Sequence, residues 1–292
     1  MPALSRFAAL ALAALVCVGW AAPAAAQPPV WVVRSKTTTL VLFGSIHLLP
    51  PGLDWRPAAL DDALAHAGEL WFELPIDAVS DNLAAHTAQT RGSLPQGRRL
   101  ADLLSADEQA KLAQAAAQLH CDPTALDRMW PWMADFTLSV AEDSGGGADA
   151  SNGVEEQIQA ITPLTVRRMG FENARQQIGF LAGAPVKDQI ASLDWTLHEV
   201  DDDPASYKRV VDEWMAGDMT ALQADAVAQL KTIAPTLYDR LLVDRNRRWA
   251  ATLASRLRYP GEVVVIVGVG HLIGPDGLPA LLRAQGYEVD GP

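Results

Sequence analysis

Cysteine is nearly absent from this chain, which has only Cys17 and Cys121. Cys17 falls in an N-terminal stretch that reads as a leader, so Cys121 is left alone. No intramolecular disulfide is then available, even in an oxidising compartment. Cys121 has no histidine-containing motif beside it and reads as a buried structural thiol rather than a nucleophile. Positive charge is also scarce, with 23 Lys and Arg against 35 Asp and Glu, a net charge of −12. Such a surface argues against nucleic acid and anionic lipid headgroups as partners. The pairs Arg167-Arg168 and Arg247-Arg248 are too small to change that. Beyond the leader no apolar run is long enough to span a bilayer. The P-loop, H-E-x-x-H and G-x-S-x-G patterns are missing, and Gly268-x-Gly270-x-x-x-Gly274 lacks the dinucleotide-binding spacing.

What the sequence does contain begins with the leader. Met1 to Arg6 is a short, weakly basic start, Phe7 to Trp20 is apolar, and Ala24-Ala25-Ala26 precedes Gln27. These are the parts of a secretory signal, expected to be cut after Ala26, which makes the mature chain a periplasmic or secreted protein. Loss of Arg6, the one charged residue of the leader, takes the net charge from −12 to −13. The remaining residues, 27–292, suffice for one large domain.

Pro29–Arg34 and Thr37–Phe43 are β-rich runs around Ser35-Lys36, which predicts a hairpin. Pro57–Ala67 has helical spacing, and Glu69–Leu74 is a short buried strand, so strand, helix and strand predict a βαβ unit. From about 76 to 243 the pattern is mostly helical. A capping box at Ser105 to Glu108, a break at Ser144 to Gly147, a further strand near Leu164–Met169 and a long helix at Leu237–Leu257 stand out. The chain returns to the sheet at Glu262–Val267 and ends with a helix and Tyr287-Glu288-Val289. The expected fold is α/β (α+β): a mixed, partly parallel sheet built from both chain ends, with a large helical insertion between them. The nine tryptophans read as core and rim packing, from which a carbohydrate platform is not distinguishable.

Histidine is rare, six in all, yet two follow the same local pattern. Gly44-Ser45-Ile46-His47 closes one β-rich run, and Gly268-Val269-Gly270-His271 closes another. On parallel strands of one sheet both imidazoles would project from one edge, where α/β proteins place ligands. Imidazole is a common ligand of transition metals, although two histidines leave a site incomplete without a carboxylate. Glu73, at the end of the Glu69–Leu74 strand, is the natural third member; alternatively it is a strand-end glutamate facing water. Arg245 and Arg248 are i, i+3 neighbours on the long helix, with Asn246 on another face. A guanidinium there would hold a substrate carboxylate or support developing negative charge, or would simply pair with Asp244 or Asp239 on the surface.

Phe43-Gly44-Ser45-Ile46-His47, Glu69-Leu70-Trp71-Phe72-Glu73-Leu74, Gly170-Phe171-Glu172 with Gln176-Gln177, Trp214-Met215-Ala216-Gly217-Asp218, Arg245-Asn246-Arg247-Arg248-Trp249-Ala250 and Gly268-Val269-Gly270-His271-Leu272 run nearly end to end. In this combination the chain resembles the TraB/GumN family, related to the TIKI metalloproteases. The resemblance implies a fold shared with erythromycin-esterase-like and ChaN-like proteins, and a divalent-metal site. His47 and His271 would be metal ligands, Glu73 a ligand or the general base, and Arg245 and Asn246 polar groups lining the site. The metal would be Mn, Co or Zn, and the protein an exported metal-dependent hydrolase acting on a peptide or another small substrate. The alternative is a non-catalytic metal- or haem-binding envelope protein linked to polysaccharide export. The sequence departs from the family pattern at Val154-Glu155-Glu156 and Gly170-Phe171-Glu172, which leaves Glu155 and Glu172 unassigned.

Overall fold

A computed structural model describes residues 27–292, so the expected leader lies outside the described residues. Val30–Arg34 (β1) and Thr38–Ser45 (β2) form the hairpin, and Ser35 closes it by accepting from the Thr38 amide at 3.1 Å. The helix Ala58–His66 then leads to Glu69–Phe72 (β3). Arg167–Gly170 (β4), Gly261–Gly268 (β5) and Glu288–Asp290 (β6) complete one six-stranded sheet in the order β4-β3-β5-β2-β1-β6. Its four-strand centre, β4-β3-β5-β2, is parallel throughout, and β1 and β6 add an antiparallel edge. The expected mixed sheet drawn from both chain ends is therefore present. β5, from the C-terminal part, lies between β2 and β3, so the two strands of the βαβ unit are one strand apart.

β5 is continuously buried from Val263 to Val267, as a central parallel strand covered on both faces requires. Phe43, Trp55 and Trp214 cluster on one side with ring centroids 5.6–6.1 Å apart, and the Trp214 indole donates to the Gly44 carbonyl. Trp71, Phe171 and Trp249 form a second aromatic run. With Trp31, Trp55, Trp214 and Trp249 all at or below 2% exposure, these four tryptophans belong to the core.

The segment between β3 and β5 is helical apart from β4 and carries its own apolar cluster. In that cluster Leu104 and Ala115 meet Leu126, Leu138, Leu193 and Leu197. The Ser105–Glu108 capping box opens the Ala106–Gln118 helix as expected. The long C-terminal helix is continuous from Pro235 to Arg256, but Asp239–Val243 is wound as a π-helical turn. Among the described residues no helix is long and apolar enough to cross a membrane.

Candidate functional site

Parallel pairing puts the C-terminal ends of four strands on one edge. Ser45 is level with Gly268, Phe72 with Ile266, and Phe72 with Gly170. Each strand then releases one polar side chain within three residues of its end: His47 after β2, Glu73 after β3, Glu172 after β4 and His271 after β5. Ligand sites of α/β sheets form at this edge because the strands stop there and the backbone opens.

His271 is buried, with 4% exposure. Its Nδ1 lies 2.6 Å from the Asn246 Oδ1, while the Asn246 amide nitrogen donates to the Asp276 carbonyl at 2.8 Å. The amide is thereby oriented, so the His271 proton sits on Nδ1 and Nε2 presents a lone pair. Burial, with Arg245 beside it, pushes the imidazole down to about 3 against the pull of Glu73, so the ring is neutral. The Trp249 ring packs 4.4 Å from it.

His47 is open to solvent, with 61% of its side chain accessible. Its Nδ1 lies 2.8 Å from Glu155, which also accepts from the Ser45 hydroxyl at 2.5 Å. Glu155 raises the His47 imidazole to about 9, against the opposing effect of desolvation and with help from Glu73. The backbone makes this contact possible: a Cβ on Gly153, which caps the Val154–Ile161 helix, would meet the His47 carbonyl at 2.0 Å. Only glycine lets the helix that carries Glu155 start against the β2 loop.

Glu73 is buried and bonded at both oxygens. Oε1 accepts from the Gly268 amide at 2.9 Å, and Oε2 accepts from Gln177 at 3.0 Å and from Arg245 at 2.6 Å. Burial works against its charge, but Arg245, with help from His47 and the Gly268 amide, outweighs it and holds the carboxyl well below the usual range. Arg245 also donates to both oxygens of Glu172 at 3.0–3.1 Å, to the Leu241 carbonyl, and to His271 Nε2 at 3.1 Å. Arg248, three residues on, is half exposed and stands 3.6 Å from Glu172.

Three groups frame one glycine. A Cβ at Gly268 would lie 3.2 Å from Glu73 Oε1, 3.8 Å from His271 Cδ2 and 3.9 Å from His47 Nε2. Glu73 Oε1 and His271 Nε2 are themselves 3.6 Å apart. Among the described residues no three His, Cys, Asp or Glu side chains already stand at metal-binding spacing.

His47, Glu73, Arg245, Asn246 and His271 thus meet at one edge, and the surface alternative for Arg245 gives way to a 4% exposed ion pair. Glu155 and Glu172, left unassigned from sequence, belong to the same network, as does Gln177. Glu172 stands two residues past the Gly170 that ends β4, much as His47 stands three past Gly44, and that repeated pattern was the available signal. Glu155 had only its place in a helix start.

A model of the TraB/PrgY/gumN family matches residues 29–291. The chain is 27% identical over 243 residues to the uncharacterized protein YbaP of Escherichia coli (strain K12), and equally to that of Shigella flexneri. In both cases 83% of this chain and 87% of the relative are covered. No solved structure matches.

Proposed function

Because the chain belongs to the TraB/PrgY/gumN family, as the match over residues 29–291 shows, we propose that this edge is the centre of an exported, metal-dependent hydrolase acting on a peptide or similar small substrate. The observation that carries the reading is the convergence on Gly268 of Glu73 and two histidines whose Nδ1 atoms are both already engaged. A histidine tied through Nδ1 to a carboxylate or amide is the usual arrangement of a metal ligand and its supporting shell; here a cation would take the place of the second proton on His47 and of the Arg245 contact to His271 Nε2. The donor set, two imidazoles and a carboxylate, suits a borderline divalent ion such as Zn, Mn or Co. Glu155 and Glu73 create a field that favours positive charge here, whether a proton on His47 or a cation.

His47, His271 and Glu73 would hold the ion, which when bound supplies Lewis acidity and lowers the pKa of a water. The remaining roles fall to the chain itself. Glu155 and Asn246 fix the two rings through Nδ1, and a bound cation would displace the second proton that Glu155 favours on His47. Arg245 keeps Glu73 anionic, and that depressed basicity suits a ligand better than a general base. Arg245 and Asn246 also supply the polar wall beside which negative charge would develop.

The test is metal content by elemental analysis together with cleavage of a quenched-fluorescence peptide library, after chelation and reloading with Zn, Mn or Co. Turnover should fall at least about hundredfold in His47→Ala and in His271→Ala, with metal stoichiometry falling in parallel. Full occupancy and activity in the double variant would overturn the reading. The engagement of Glu73 Oε2 by Arg245 and Gln177, which leaves the carboxylate a poor general base, favours a second one, a non-catalytic metal- or haem-binding protein. Stoichiometric metal or a Soret band without turnover would support it.

A further inference from the structure

Beside His47 a cavity of about 330 Å³ opens from the sheet edge. Its walls differ in chemistry. One side is apolar: Phe136 and Val140, one turn apart on the Pro131–Gly145 helix, face Leu74 and Ile76. Phe136 is 54% exposed, so its ring offers apolar surface to the cavity. The other side is acidic. Glu73, Asp81, Glu155 and Glu156 line the cavity, and among the described residues no Lys or Arg does.

Two of these charges are already answered inside the protein, Glu73 by Arg245 and Glu155 by His47. Asp81 and Glu156 are exposed, and among the described residues neither enters an ion pair. Both stand in the first turn of a helix, where the dipole favours a carboxylate. The dipole explains their position along each helix. It does not explain why two separate helix starts open on one cavity whose cationic side chain, His47, is already paired with Glu155.

We propose that this cleft takes a substrate segment in which a large apolar side chain adjoins a positive charge, the apolar group against Phe136 and Val140 and the charge toward Asp81 and Glu156. The proposal rests on the hydrolase reading of the same site for its substrate being a peptide, and it deepens that reading by naming the peptide's character. An anionic segment is repelled by the acidic wall, and a polar one leaves Phe136 in water.

Equilibrium binding by fluorescence anisotropy tests it without requiring turnover, using dye-labelled tetrapeptides with a central Leu-Lys, Leu-Glu or Gly-Lys pair. The Leu-Lys probe should bind about tenfold more tightly than either of the others, and its advantage over Leu-Glu should shrink at high salt. Asp81→Asn with Glu156→Gln should remove most of the charge preference; both side chains are exposed, so folding is not at stake. Phe136→Ala should weaken both leucine probes and leave the charge preference in place. Equal binding of Leu-Lys and Leu-Glu, a preference that survives the double variant, or no binding of any probe would each overturn the proposal. Selective binding without cleavage of any library peptide would instead sink the hydrolase reading and leave the specificity standing. Cleavage that is indifferent to charge would do the reverse.

Discussion

A guanidinium at 4% exposure needs its charge answered on several sides, and Arg245 finds Glu73, Glu172, the Leu241 carbonyl and a neutral histidine nitrogen. Removing one member of such a buried network costs more than the network contributes, because the remaining charges stay desolvated. Arg245→Met should therefore lower stability by about 3–5 kcal/mol in urea unfolding at neutral pH. Adding Glu73→Gln and Glu172→Gln should recover most of that loss. A loss below about 1 kcal/mol in the single variant would mean that the carboxylates find other partners. Little of this was legible beforehand. Arg245 and Arg248 look alike in sequence, yet one has 5% and the other 52% of its side chain exposed. What separates them is Glu73, which of the two pairs with Arg245 alone and lies far along the chain. His47, His271 and Glu73 were easier to find, because a glycine or proline at a strand end marks where the backbone leaves the sheet.

The helix that presents Arg245 is not uniformly wound. The π turn over Asp239–Val243 ends just before Asp244, and Arg245 bonds back to Leu241 within it. A π turn holds an extra residue, so everything after it is rotated by roughly 100° relative to an uninterrupted α-helix. Deleting Leu242 should restore regular winding, keep the far-ultraviolet helix signal and turn Arg245 and Asn246 away from their partners. The proposed hydrolysis should then fall about hundredfold, the scale expected for a misplaced positioning group. Unchanged turnover would show that the winding does not set the register. The apolar spacing of Leu237–Leu257 predicted one helix and gave no hint of the π turn, since a single extra residue hardly alters a 3.6-residue pattern. The strands were more readable. The βαβ unit announced parallel β2 and β3, but the strand between them is drawn from the far end of the chain, beyond the reach of local pattern.

The acidic balance of the chain has a local focus away from the sheet edge. Glu142, Asp143 and Glu199 crowd the contact between the Pro131–Gly145 and Val186–Asp202 helices. Burial pushes both Glu142 and Asp143 up to about 7, with Glu199 adding to each. A carboxyl raised in the folded state binds more protons there than in the unfolded chain, so stability must fall as pH rises between the two values. For Glu142 that window runs from the model-compound value of 4.5 to about 7. Glu142→Gln should accordingly raise the melting temperature at pH 8 by a few degrees, about 1 kcal/mol after allowing for solvent screening, and change it little at pH 4.5. An equal effect at both pH values would remove ionisation as the cause. The sheet itself carries a different implication. Leu40 pairs with Val263, so the strand that bears His271 wedges between two strands synthesised long before it. Pairings between such distant segments form late. A ribosome halted before Gly261 would release a chain with a gap through the middle of its sheet and only half of its histidine pair. Whatever chemistry this edge performs is thereby withheld from every copy that has not yet been extended through β5 and His271.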